Sequence, residues 1–216
     1  MRLVCVSDTH NQTDGLVVPE GDILLHAGDL TGNGQPEELA ETARWLASLP
    51  HAHKVVIAGN HDFFFQEDSE KARALFDDVP GFHYLEDAQI SLDGLTIYGT
   101  PWQPWFYDWA FNLPRRGEEL ARIWSRVPTD MDVLLTHTPA HGILDRTRDG
   151  EAAGCEVLRA ELSRIRPRLH VFGHIHEGYG DVTLEGTRHV NASTCDAAYK
   201  PVHPPIVVEM ERKRRS

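Results

Sequence analysis

Cysteine is scarce in this chain. Cys5, Cys155 and Cys195 are the only three, and they form no C-x-x-C pair. That leaves no disulfide framework and no thiolate zinc site; isolated cysteines of this kind read as small buried hydrophobes. Basic residues are outnumbered, with 21 Lys plus Arg against 33 Asp plus Glu and a net charge of −12. A surface of that sign repels polyanions, which argues against a protein that tracks along a polynucleotide or coats an anionic membrane. A small phosphate ester entering a locally positive pocket is still compatible with it. Long apolar runs are missing as well. Residues 1–7 run straight into Asp8, too short a stretch for a signal peptide, and no later one nears the ~18 apolar residues of a membrane span. There is no repeat and no low-complexity linker. The expectation is a cytoplasmic, reduced protein, with one domain over residues 1–210 and a charged, solvated tail over residues 211–216.

Short, continuously apolar runs recur instead. Residues 3–7, 22–27, 54–58, 133–136 and 170–172 read as strands buried on both faces, each ending in a polar or glycine-rich turn. Residues 90–92 and 95–98 flank Asp93-Gly94, a hairpin signal. Residues 182–184 and 188–190 flank Glu185-Gly186-Thr187, a weaker one, and residues 206–210 read as the last strand. Helical periodicity predicts helices over 36–49, 69–76, 117–127 and 155–165, the first opened by Pro36 and acidic in its first turn. Strands alternating with helices in both halves, together with hairpins, predict a layered α/β domain.

The chemistry-bearing residues sit just past the strand ends, where ligands of open α/β sheets bind. The segments are Asp8-Thr9-His10, Gly28-Asp29, Gly59-Asn60-His61-Asp62, His137 and Gly173-His174-Ile175-His176. Each piece alone is an ordinary turn or a hydrogen-bonded loop histidine. Together they offer carboxylate oxygens, one amide oxygen and several imidazoles with no thiolate, a donor set for two metal ions that suits Mn²⁺, Fe or Zn²⁺. The x-separated pairs Asp8/His10 and His174/His176 converge if the backbone there is extended. Gly28, Gly59 and Gly173 are expected to let the chain turn tightly beside the metals.

In this order the segments resemble the calcineurin-like metallophosphoesterase superfamily, whose series is D-x-H, G-D, G-N-H-D/E, H and G-H-x-H, over essentially residues 3 to 195. The segments 101–106, 109–114, 171–180 and 191–195 are similar to its metallophosphoesterase-domain-containing branch. The resemblance implies an α-β-β-α sandwich with two mixed sheets, a dinuclear metal centre and phosphoester hydrolysis. It implies Asp8, His10 and His176 on one metal, Asn60, His137 and His174 on the other, and Asp29 between them. Thr138 departs from the pattern, standing where the family has Gly.

The resemblance also frames a mechanism. A water bridging two cations is acidified towards pKa ~7 and attacks phosphorus in line with the leaving oxygen. Two divalent cations, Asp8, Asp29 and one hydroxide sum formally to about +1, a local positive centre in an acidic protein. His61 is assigned to the leaving oxygen, and Asp62 to orienting His61 or another group of the site. The aromatic stretch containing Trp102, Trp105 and Trp109 reads either as a loop packing its own small core or as a wall stacking a nucleobase. Trp102, Trp105 and His141 are the candidate substrate contacts. The expected activity is phosphodiester hydrolysis on a small nucleotide or cyclic nucleotide with two Mn²⁺. A broad phosphomonoesterase and a scaffolding module with a vestigial site are the alternatives, and the oligomeric state is left open.

Overall fold

An apolar strand covered on both faces must send alternate residues into two different cores, and this chain does so in both of its sheets. The computed structural model describes residues 1–129 and 131–211, so the tail expected over 211–216 lies, Glu211 apart, outside the described residues. In chain order the elements are β1 (Arg2–Val6), β2 (Ile23–Ala27), α1 (Pro36–Ser48), β3 (His53–Ile57), α2 (Phe63–Glu67), α3 (Ser69–Ala74), β4 (Phe82–Tyr84), β5 (Ala88–Leu92) and β6 (Leu95–Thr100). Then follow β7 (Gln103–Pro104), β8 (Asn112–Leu113), α4 (Glu118–Arg126), β9 (Val133–Thr136), α5 (Glu156–Ile165), β10 (Leu169–Phe172), β11 (Gly180–Leu184), β12 (Thr187–Asn191) and β13 (Ile206–Glu209).

The strands form a five-stranded sheet, β13-β1-β2-β3-β4, and a six-stranded sheet, β11-β12-β10-β9-β6-β5. Both are mixed: β1 to β4 run parallel with β13 antiparallel, and β6, β9, β10 and β12 run parallel between antiparallel β5 and β11. Leu3, Cys5, Leu25, Val55 and Ile57 of the first sheet meet Ile97, Val133, Leu135 and Val171 of the second in one buried core. The intervening residues Val4, Val6, Leu24 and Val56 face outward onto Leu39, Ala43 and Leu46 of α1 and onto Phe65 and Phe76. On the far side Tyr98, Leu134 and Phe172 pack against Leu120 and Trp124 of α4 and Leu158, Leu162 and Ile165 of α5. The result is the four-layer α-β-β-α sandwich. Among the described residues no helix is long and apolar enough to cross a membrane.

Most sequence-predicted elements appear within two residues of their expected ends, and local chemistry explains several of those ends. Glu38 accepts from the Gln35 amide at 2.9 Å, closing the start of α1 before Pro36. Asp93 and Gly94 both take positive φ, 49° and 89°, as a two-residue hairpin turn with right-handed strand twist requires. The second hairpin is equally tight. Leu184 pairs with Thr187, so Glu185 and Gly186 alone make the turn that was expected to span three residues. The short elements α2, β4 and the β7–β8 pair carry too few residues for a periodic signal and were not predicted.

Leu134 is fully buried on β9 between the sheet and α4/α5. Replacing it with Ala leaves a cavity there and is expected to cost about 2–5 kcal/mol of stability. Chemical denaturation measures this; a loss well under 1 kcal/mol shows that the outer layer collapses into the void.

Candidate metal centre

The carboxyl ends of β1, β2 and β3 in one sheet and of β9, β10 and β12 in the other converge on one edge of the sandwich. Ser7 beyond β1 bridges to Ser193 beyond β12, and the Asp8 amide donates to Gly28 O at 3.0 Å. Asp8, His10, Asp29, Asn60, His137, His174 and His176 all come together there.

They form two groups. In the first, ligating atoms of Asp8, His10 and His176 lie within 4.8 Å of one another. His176 Nε2 stands 3.3 Å from Asp8 Oδ1 and 3.4 Å from His10 Nε2. In the second, Asn60 Oδ1 is 2.8 Å from His137 Nε2 and 2.7 Å from His174 Nδ1. Asp29 Oδ2 stands between the groups, 3.7 Å from His10 Nε2 and 3.4 Å from His137 Nε2.

The outer nitrogens of three rings are tied to backbone carbonyls. His10 Nδ1 donates to Thr31 O at 3.1 Å, His137 Nδ1 to Ala27 O at 2.9 Å and His176 Nδ1 to Asp196 O at 2.8 Å. Such bonds fix the tautomer and turn the Nε2 lone pair inward. The Nε2 atoms of His10 and His176 face the same space, 3.4 Å apart. With metal–nitrogen bonds of about 2.0–2.1 Å, that separation suits neighbouring ligands on one ion. The donor set therefore fits divalent cations.

The backbone is bent to deliver these groups. Asp8, His10, Asp29 and His174 have φ of 52°, 43°, 53° and 68°. This left-handed conformation costs a non-glycine residue about 1–3 kcal/mol and concentrates at functional sites. It overturns the extended geometry expected for the D-x-H and H-x-H pairs: each pair converges by a tight bend, and His176 opens a 3₁₀ turn. Gly28 makes a positive-φ turn of 95°, as expected. Gly59 and Gly173 do not. They are needed for space, because a Cβ on Gly59 runs into the Asp29 carboxylate and one on Gly173 into the Asp8 carboxylate.

Electrostatics follow from burying two carboxylates among imidazoles. Burial alone would raise Asp8, but the hydrogen bond and charge of His176 outweigh it and hold the carboxyl well below its usual range. Asp29 is likewise held low by His137 against burial. Burial opposes protonation of His137 and His176, yet Asp29 and Asp8 respectively push each up to about 9. Burial and the charge of His137 bring His174 down to about 3. At pH 7 without a cation, His137 and His176 thus each hold a proton that a metal must displace. Apparent affinity for Mn²⁺ is expected to rise about tenfold per pH unit per displaced proton between pH 6 and 8. Calorimetry in buffers of different ionisation enthalpy reads that release, and pH-independent uptake contradicts it.

Asp62 is fully buried but does not face the His61 ring. Its carboxylate accepts from Gly59 N (2.7 Å), Leu30 N (3.2 Å), Thr31 N (3.0 Å) and Thr31 Oγ1 (2.7 Å), stapling the loop after β2 to the loop after β3. Burial and the charge of Asp29 push it up to about 6. His61 is held otherwise. Its Nδ1 donates to Gly32 O at 2.7 Å, its amide donates to Asp29 Oδ1 at 2.8 Å, and Trp109 stacks on its ring at 4.1 Å. His61 also lies within ligand distance of His10 and Asp29.

The centre floors a cleft of about 310 Å³ lined by Phe106, Trp109, Arg115, Thr147, Glu177 and Tyr199 among others. Trp102, Trp105 and His141 are not among the lining residues. Trp102 donates to Asp87 and packs on Phe111, Trp105 is exposed, and the half-buried His141 lies 3.8 Å from Asp145. The aromatic loop divides accordingly: Ala110 and Phe111 enter the core, while Trp109 reaches the site. Ser193, whose hydroxyl donates to Asp8 Oδ2 at 2.8 Å, was also missed; it belongs to the 191–195 segment already singled out. Nothing in the sequence marked Tyr199, whose ring meets His10 at 4.8 Å.

Comparison with known proteins agrees with this geometry. A family model described as calcineurin-like phosphoesterase matches residues 1–178. Metallophosphoesterase domain-containing protein 1 of Homo sapiens is 44% identical over 237 residues, covering 100% of this chain and 72% of its own length. The UPF0046 protein K07C11.7 of Caenorhabditis elegans is 37% identical and covers 100% of this chain and 77% of its own. In fold alone, TT1561 of Thermus thermophilus superposes with a TM-score of 0.61 over 88% of each chain, at 14% identity. The family brings divalent metal ions and phosphoester hydrolysis with it. A match over most of the chain, together with identity along its whole length, settles the relationship: the protein belongs to the calcineurin-like phosphoesterases, in their metallophosphoesterase-domain-containing branch.

Proposed function

We propose that this protein is a two-metal phosphodiesterase acting on a small nucleotide or cyclic nucleotide. The observation that carries the reading is the meeting of two ligand groups across Asp29 at the floor of an aromatic-walled cleft. When bound, the divalent cations supply an acidified water and neutralise charge on the phosphoryl oxygens. Asp8, His10 and His176 hold one of them, and Asn60, His137 and His174 the other, with Asp29 shared. His61, anchored through Nδ1, keeps Nε2 for a ligand in the cleft and serves to protonate the leaving oxygen. Phe106, Trp109 and Tyr199 offer ring faces for a base, a contact worth about 1–3 kcal/mol.

Charge favours a diester over a monoester. Among the described residues Arg115 is the one Lys or Arg lining the cleft, and three of its N–H bonds go to Glu156, Gly154 O and Ala153 O. A monoester dianion calls for more cationic donors than this wall spares, whereas a diester carries one negative charge. The net charge of −12 favours a small substrate over a polynucleotide or a membrane surface. Mn²⁺ is the proposed metal, with Fe or Zn²⁺ accepted by the same donors. Three free buried thiols suit a reducing, cytoplasmic setting.

The test is a hydrolysis panel with Mn²⁺: bis(p-nitrophenyl) phosphate, p-nitrophenyl phosphate, and 2′,3′- and 3′,5′-cyclic nucleotides. Faster turnover of the diesters is expected; faster turnover of the monoester overturns the diesterase reading.

A further inference from the structure

Beside the metal cleft, across Phe106 and Trp109, lies a second, shallow groove of about 550 Å³ lined by Phe63, Phe106, Tyr107, Asp108 and Trp109. Phe106 and Trp109 line both spaces, so the two adjoin at these rings. The groove wall is aromatic and partly open to water. Phe106 is 51% and Tyr107 72% exposed, an apolar patch of the kind that marks a binding surface. The loop carrying it is fixed from within. Asn112 donates to Phe106 O at 3.3 Å and Tyr107 O at 2.8 Å, and its Oδ1 accepts from Gln103 Nε2 at 3.0 Å. Phe63 and Trp109 hold their rings 5.9 Å apart.

We infer that this groove seats an uncharged aromatic group on the leaving arm of the phosphodiester. The inference rests on the diesterase reading above and deepens it. The side is decided by His61. Trp109 stacks on the ring assigned to the leaving oxygen and also forms the wall of the groove, so the arm departing beside His61 lies along Trp109. The chemistry of the arm is decided by the lining. Aromatic faces bind flat π-systems at about 1–3 kcal/mol per ring, and Asp108, the one charged residue lining the groove among the described residues, repels a second phosphate. The opposite wall, with Arg115, Thr147 and Glu177, is polar and receives the retained arm. In the reaction the P–O bond to the aromatic arm breaks and the oxygen of water takes its place on phosphorus. The arm leaves as a neutral alcohol or phenol bearing the proton from His61, and the proton lost by the attacking water passes to solvent, from which His61 is reprotonated.

The decisive probe is phenyl hexafluoroisopropyl phosphate, hydrolysed by the Mn²⁺-loaded protein. Its two leaving groups have similar acidity, so chemistry alone gives little preference and binding sets the ratio of phenol to fluoroalcohol released. The wild-type protein is expected to release phenol in excess by about 5- to 160-fold, the span of one stacked ring. Tyr107→Asn is expected to cut that excess several-fold. Tyr107 touches no metal ligand and has a φ of 49°, which Asn adopts readily, so the loop is retained. Because the ratio is internal to one substrate, a partly inactive preparation does not distort it. No preference in the wild-type protein, a preference for fluoroalcohol, or a ratio unmoved by Tyr107→Asn overturns the groove assignment. Failure to cleave either arm overturns the diesterase reading, and this one with it.

Discussion

Asp29→Asn is expected to drop bound metal below two per chain and to cut diester hydrolysis by about 10³-fold, the several kcal/mol of charge stabilisation that a cation provides. Asp29 reaches both ligand groups through one oxygen, while its other oxygen accepts from the amide of His61. Asparagine keeps the size and tolerates the left-handed φ of 53°, so the substitution removes charge and leaves the bend in place. The same charge pushes the proton affinity of His137 upward, and its loss lowers the attraction of that ring for a proton and a metal alike. Elemental analysis of the purified variant, beside its turnover of bis(p-nitrophenyl) phosphate, checks both halves. Two metals and near-normal turnover would remove Asp29 from its place between the ions.

The layered α/β build was readable because β1, β2, β3, β9 and β10 are apolar along most of their length, a pattern that burial on both faces explains, whereas the α-β-β-α order of the layers came with the family resemblance. The ligand segments were readable because each directly follows such a strand. How the ligands converge was not. Alternation along an extended chain suggested parallel side chains, whereas Asp8, His10 and His174 converge through left-handed bends set by contacts such as His10 N to Asp29 O and Gly173 N to His137 O, distant in sequence. The aromatic loop hid its functional member for a related reason. Trp102, Trp105 and Trp109 are equivalent as letters. Only the β7–β8 pairing and the clasp of Asn112 decide that Trp109 lies on His61 while Trp105 faces water. For Asp62 the sequence left two partners open, His61 or another group of the site, since a carboxylate next to His61 is free to point to either side of the turn; its contacts go to the loops that carry Asp29 and Asn60. Tyr199 depends on a loop folded by Asp196, whose carboxylate accepts from the amides of Ala198 and Lys200, and it lies beyond the last motif segment, residues 191–195.

His61→Ala is expected to lower kcat for a phenyl or alkyl leaving group by about 10²- to 10⁴-fold while two metals stay bound. The main chain of His61 donates to Asp29 Oδ1, and alanine keeps that bond, so the shared carboxylate stays oriented. What is lost is a ring clamped between Gly32 O and the face of Trp109. If that ring delivers a proton, the loss must depend on the leaving group. p-Nitrophenolate departs without one, so the variant should recover much of its rate on p-nitrophenyl esters and little on phenyl esters. A ring that only positions substrate gives equal losses on both. A ring that ligates, as its proximity to His10 and Asp29 permits, gives a variant short of metal. Comparing the two esters with metal content measured on the same preparation separates the three roles, and equal losses at full metal occupancy remove His61 as the acid.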